Sequence, residues 1–222
     1  MSTPWIDPEQ DATAEGVIRY RYRLTSAPLD APVDTFAAIH AKGLADGWLG
    51  RDPERYEGLA YGNLSLGDPA GFWVTASQRI DRTELHAEDL VYMPFEHDRG
   101  VALAVGSHPP SSEALTHAAV HRAAREAVPG IQLAVVHGHD ADLWAQGDAL
   151  GWSSTSRRAG NGSLLMASSV GSAVSAAPQG GALTMPGHQD GILLWGPDFT
   201  EIDARLDDAC ARLRATRNHD DA

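Results

Sequence analysis

The sequence predicts an α/β fold in which strands and helices alternate along one chain, and three observations carry that expectation. Residues 16–25, GVIRYRYRLT, set Ile18, Tyr20, Tyr22 and Leu24 on one side of a period-two strand and Arg19, Arg21 and Arg23 on the other. Ile131–Val136 is an apolar run rich in branched side chains, the pattern of a buried strand. Phe199, Ile202, Leu206, Ala209, Cys210 and Leu213 recur at helical spacing near the end of the chain. Because such segments are interspersed, one α/β unit is favoured over separate helical and sheet halves.

The elements follow in order. Residues 1–15 are polar and read as a flexible N-terminal segment, with residues 16–222 forming a single domain. Phe36, Ile39, His40 and Leu44 mark a helix over 33–48 that closes near Gly47. Two glycine-containing strands are expected at Leu59–Leu66 and Phe72–Thr75. Ser111 or Ser112, after Pro109 and Pro110, reads as the N-cap of a helix that reaches Val128 and stops before Pro129. The Gly-, Ser- and Ala-rich stretch 151–181 reads as loop with one short helix. Ala182–Met185 and Ile192–Trp195 then bracket Pro186–Gly191 as two strands around a tight turn.

Composition excludes several classes. With 43% hydrophobic and 21% charged residues the chain lies outside the disordered range. A net charge of −13 disfavours nucleic acid and anionic membrane as partners, since both select clustered Lys and Arg. Cys210 is the only cysteine, which rules out an intrachain disulfide. The acidic start lacks a signal-peptide pattern, and no apolar run approaches the roughly 18 residues of a membrane span, so a cytoplasmic protein is expected.

The chemistry-bearing pattern is Val-Val-His137-Gly-His139-Asp. Residues i and i+2 of a strand share a face, so both imidazoles point the same way if the strand continues through them. Such a pair can share a divalent cation, or can be two structurally satisfied histidines, and the spacing alone leaves both open. His188 lies in the turn between two apolar strands, where it can lean over a sheet edge; alone it reads equally as an exposed turn residue. His117 and His121 have the i, i+4 spacing of a helical zinc motif but lack its glutamate, and read as helix-surface or interface residues.

Five segments in order resemble the class II aldolase/adducin family. They are Tyr61-Gly62-Asn63-Leu64-Ser65, Val74-Thr75-Ala76-Ser77-Gln78, Pro110-Ser111-Ser112-Glu113 followed by Thr116-His117, Val136-His137-Gly138-His139, and Gly187-His188 with Gly191-Ile192. The resemblance spans roughly residues 30–215. It implies a three-layer α/β/α fold around a mostly antiparallel sheet. It also implies a homotetramer with sites at subunit boundaries, and a divalent metal on His137, His139 and His188. Zinc is the first expectation for that ion, with iron, manganese or cobalt as alternatives. Glu113 would be the general base, and Asn63, Ser77, Gln78, Ser111 and Ser112 would bind substrate. The implied activity is an aldolase-type lyase of carbohydrate metabolism, acting through enediolate chemistry on a small hydroxyketone or sugar-phosphate-like substrate. Decarboxylation, epimerisation, dehydration and iron-dependent oxygenation on the same scaffold are alternatives, as is a non-catalytic assembly module of adducin type.

The chain departs from the family at two places. The substrate loop, which in the family ends in glycine, ends here in Gln78 followed by Arg79, which makes an unphosphorylated or carboxylate substrate credible. No tyrosine follows His139, where family aldolases and epimerases carry their proton donor; Asp140, Asp142 or a residue of another subunit would have to substitute.

Overall fold

The computed structural model describes residues 4–7, 17–27, 30–95 and 101–220. Eleven strands appear among them: β1 (Arg21–Thr25), β2 (Gly50–Arg51), β3 (Ala60–Tyr61), β4 (Asn63–Asp68), β5 (Gly71–Thr75), β6 (Leu90–Pro94), β7 (Val101–Val105), β8 (Ala134–His139), β9 (Ser153–Ser154), β10 (Gly181–Thr184) and β11 (Gly191–Gly196). Five α-helices accompany them: α1 (Val33–Asp46), α2 (Ala114–Ala127), α3 (Ala141–Leu150), α4 (Leu164–Ala176) and α5 (Phe199–Asp220). Nine strands form one sheet in the order β1-β7-β6-β5-β4-β8-β11-β10-β9, and β2 with β3 makes a separate ribbon. Only β1–β7 and β9–β10 run parallel, so the sheet is mostly antiparallel as expected.

Helices cover both faces. Phe36 and Ile39 of α1, Leu143 of α3, and Ile202 and Leu206 of α5 pack on one face against Leu64, Val136, Ile192 and Leu194. Val120 and Ala124 of α2 and Met166, Val170 and Val174 of α4 pack on the other, against Val135, Leu193 and Trp195. The two-residue period of β8 decides where its histidines go. Ala134 and Val136 serve the first face and Leu133 and Val135 the second, so His137 and His139 continue the second row toward the α2–α4 layer.

Several boundaries differ from the sequence-based expectation. β1 is shorter than 16–25, although Tyr20 and Tyr22 are buried as the alternation requires. Of the segment 1–15, residues 1–3 and 8–15 lie outside the described residues, as does Gly16; Ile6 forms an antiparallel bridge with Tyr22. The strand expected over 59–66 is divided at Gly62, whose φ of 79° is in the left-handed region and whose missing Cβ would lie 3.1 Å from His137 O. The helix expected from Ser111 is capped instead at Glu113, because Ser111 closes a turn by accepting Glu113 N–H on Oγ and Ala114 N–H on its carbonyl. Within 151–181, α4 has 13 residues, longer than the short helix expected, and Ser163 caps it by accepting Met166 N–H. Helix α3, capped by Asp140 and closed by Gly151 in the left-handed region, and strands β6 and β7 have no counterpart in the sequence-based expectation. The hairpin of β10 and β11 and the terminal helix stand where the sequence put them.

Candidate metal centre and adjoining polar pocket

His137 and His139 end β8, and His188 comes from the turn between β10 and β11. That turn is tightly built: His188 N–H donates to Met185 O, and Gly191 N–H donates to His188 O. Gly187 is required there, since a Cβ would collide with the Ala159 carbonyl oxygen. All three imidazoles are buried, their ring centroids are 4.7–5.0 Å apart, and one nitrogen from each lies within 4.8 Å of the others. The structure thus brings together the three histidines that sequence reasoning joined.

The donor set fits a divalent cation. His137 Nδ1 is 2.8 Å from Ile192 O; a carbonyl only accepts, so Nδ1 carries the proton and Nε2 holds the lone pair. His139 is held neutral, its pKa well below the usual imidazole range, first by burial and then by His188, His137 and Arg55. Neutral imidazoles converging in a buried pocket suit zinc and its first-row neighbours. Among the described residues a second cluster, Glu88, Asp89 and His108, has similar spacing. There, however, Asp89 already accepts from Arg79 Nε at 2.7 Å and faces Arg82 Nε at 3.3 Å, which makes it an ion-pair knot.

Glu113 reaches the imidazoles from the N-terminus of α2. It is buried, Oε2 accepts from Thr116 Oγ1 and Oε1 from Gly162 N–H, both at 2.5 Å, and Oε1 stands 3.7 Å from His188 Nδ1. These bonds fix the carboxylate from two elements, α2 itself and the loop ahead of α4.

Asn63, on β4, pairs in register with His137. Together with Ser77, Gln78, Ser111 and Ser112 it lines a small polar pocket. The structure therefore gathers every residue expected to bind substrate. His117 and His121 correct the expectation of surface or interface residues. His117 is fully buried, with Nε2 2.5 Å from Asn63 Oδ1 and Nδ1 2.6 Å from Ser65 Oγ, and His121 Nε2 is 2.8 Å from the same Ser65 Oγ. Both are kept neutral by burial first; His117 lies well below the usual imidazole value, and His121 is pushed down to about 3. Their partners sit on β4, which no pattern within α2 reveals.

Sequence reasoning missed a third group. The Tyr56 ring stands edge-on to His139 at 4.5 Å, and its hydroxyl donates to Asp190 Oδ2 at 2.7 Å. Arg55 Nη2 donates to Asp190 Oδ2 at 3.1 Å and to the Tyr56 hydroxyl at 2.5 Å. Burial first, then Asp190, raises the Tyr56 pKa and keeps the phenol protonated. Tyr56, Glu57, Gln78 and Asp190 are the described non-glycine residues with positive φ, and such backbone strain gathers at functional sites. The available signal is Arg55-Tyr56 ahead of Tyr61-Gly62-Asn63, well before the region after His139 to which the family resemblance directs attention. Asp140, an alternative acid, accepts Leu143 N–H at 2.8 Å as the cap of α3.

Residues 54–202, well over half of the chain, match the family described as Class II Aldolase and Adducin N-terminal domain. Among solved structures, the chain is similar to L-fuculose-1-phosphate aldolase from Thermus thermophilus. The TM-score is 0.55 at 18% sequence identity, over 85% of this chain and 96% of that one, a likeness of fold. No functionally curated protein matches it.

Proposed function

The chain belongs to the class II aldolase and adducin family, and from that premise we propose that it is a divalent-metal-dependent lyase that cleaves or forms a carbon–carbon bond next to the carbonyl of a small hydroxyketone. The observation that carries this reading is the convergence of three buried imidazoles with the Glu113 carboxylate, 3.7 Å from His188. His137, His139 and His188 would hold the ion, zinc by first choice and iron, manganese or cobalt as alternatives. When bound, it supplies Lewis-acid stabilisation of negative charge on the substrate oxygens.

The chain's own residues do the rest. In the condensation direction the Glu113 carboxylate takes the proton from the carbon beside the carbonyl, and the oxygen of the incoming aldehyde, as it becomes a hydroxyl, takes a proton from solvent; in cleavage that hydroxyl gives its proton back to solvent as the carbon–carbon bond breaks, and Glu113 returns its proton to the carbon. Thr116 and Gly162 orient it for both directions. Asn63, held through His117, and the serines of the pocket position the far end of the substrate. Tyr56, protonated and buried against His139, helps exclude water from the cluster.

Purified protein reloaded with metal and given a panel of hydroxyketones should release aldehyde, and chelation should stop the release. No turnover across the panel would refute the lyase. The absence of a tyrosine after His139 favours, as a second reading, decarboxylation, epimerisation, dehydration or oxygenation on the same residues. Carbon dioxide release and oxygen consumption with zinc and iron forms side by side separate these from aldol cleavage. A chain unable to take up a first-row metal at all would revive the non-catalytic assembly module.

A further inference from the structure

We infer that the polar pocket beside the imidazole cluster takes a neutral, hydroxyl-sized end of the substrate and refuses a phosphate, with Gln78 setting that limit. The inference rests on the metal-dependent reading above and narrows its substrate class to unphosphorylated hydroxyketones.

Size is the first argument. The cavity bounded by Asn63, Ser77, Gln78, Ser111 and Ser112 measures about 10 Å³, room for about one water-sized group. A phosphate, with four oxygens around phosphorus, does not enter unless a wall moves. The wall that would have to move is Gln78, and it is tied down. Its Oε1 accepts from Ala60 N–H at 2.9 Å and from Arg51 Nη2 at 3.2 Å, and its Nε2 donates to Ala60 O at 3.2 Å. These bonds hold the residue at a φ of 58°, in the left-handed region that favours glycine.

Charge and hydrogen-bond donors are the second argument. Phosphate pockets present backbone N–H groups and a cation. Here three of the N–H groups in the lining are already spent: Ser77 N–H donates to Pro109 O at 2.9 Å, Ala76 N–H to Asp89 O at 2.8 Å and Ala60 N–H to Gln78 Oε1 at 2.9 Å. Arg51, which also bonds Gln78 Oε1 at 3.2 Å, is paired with Asp81 at 2.7 Å, and Arg79 is paired with Asp89 at 2.7 Å. Among the described residues no charged side chain lines the cavity, and the net charge of −13 repels a dianion. A hydroxyl, in contrast, is well served: with Oδ1 of Asn63 on His117, the Asn63 amide N–H groups can donate to it, and the serine hydroxyls can donate or accept.

The test uses two probes that differ only in the group at issue, glycolohydroxamate and its phosphate ester, titrated calorimetrically into the zinc-loaded full chain and into Gln78→Gly. Wild type should bind the free hydroxamate at least about tenfold more tightly than the ester, and Gln78→Gly should shift that ratio toward the ester by about tenfold. Inorganic phosphate should not displace the free probe from wild type. Thermal unfolding checks that the variant folds; if it does not, the wild-type ratio and the phosphate competition decide alone. Equal or tighter binding of the ester by wild type overturns the inference while leaving the metal-centred reading intact. If neither probe binds in a zinc-dependent way, the metal-centred reading fails and the inference falls with it.

Discussion

Replacing His137, His139 or His188 singly by Ala should abolish tight metal binding. On the proposed reading each loss removes a direct ligand, and it should exceed the roughly 10–100-fold penalty typical of losing an outer hydrogen-bond partner. Glu113→Gln should keep metal while activity falls about 10²–10⁴-fold, because the shape survives and the base does not. Metal content and turnover, measured on the same preparations, separate these roles; full activity in Glu113→Gln would remove Glu113 from the chemistry. The buried pair on α2 gives a different signature. His121 is pushed down to about 3 by burial and by Arg125, and His117 moves the same way. An unfolded chain protonates these imidazoles near 6.5 whereas the folded protein keeps them neutral, so the unfolded state binds more protons below 6.5, down to about 3 in the case of His121. Stability is therefore fully present above pH about 6.5 and is lost as pH falls toward 3, by up to about 1.4 kcal/mol per pH unit for His121, with His117 acting in the same direction. His121→Gln, which can still bond Ser65, should flatten that slope in urea titrations between pH 7 and 4 without changing metal content. An unchanged slope would show that His121 titrates normally.

What the sequence made legible depended on whether an element's partners were near in sequence or implied by its own period. β8 and β11 could be read because branched residues fill both faces of central strands. The shared direction of His137 and His139 could be read because i, i+2 on a strand fixes it, whereas His188 was joined to them only by the family resemblance. Helix α4 was hard to see because Ser, Gly and Ala dilute its pattern, although Met166, Val170 and Val174, all fully buried, do recur every fourth residue after the Ser163 cap. The burial of His117 and the approach of Tyr56 to His139 depend on contacts across 54 and 83 positions of chain, for which no local pattern exists. The turn carrying His188 shows how a residue that is itself no ligand can govern the site. Gly187→Ala drives a Cβ into the Ala159 carbonyl oxygen and must shift the turn. Metal affinity should then drop about tenfold or more, as when the support of a ligand is disturbed, although no ligand has been touched. Unaltered affinity in Gly187→Ala would mean that the 157–159 loop yields instead.

At the scale of the whole molecule, the surface points to self-association. Among the described residues Leu164 and Leu165 are the most exposed large hydrophobic side chains, at 57% and 49%, and they stand side by side at the start of α4. Of the six tryptophans only Trp48 and Trp195 are buried, and the others are half-buried. Two copies each carrying −13 repel one another, so an assembly has to be held by apolar contact and should tighten as salt screens the charge. We expect a homo-oligomer, a tetramer by family resemblance, with the leucine pair in an interface. The site is coupled to that edge, because Gly162, two residues ahead of Leu164, donates its N–H to Glu113. Leu164→Glu with Leu165→Glu should cost little within one chain, about 0.5 kcal/mol or less for exposed positions. It should nevertheless dissociate the assembly and lower activity with it. Sedimentation of wild type at micromolar concentration decides the first point: a stable monomer near 23.7 kDa overturns the assembly. An oligomer that survives the double substitution puts its interface elsewhere and frees the Gly162–Glu113 contact from any dependence on a neighbouring copy.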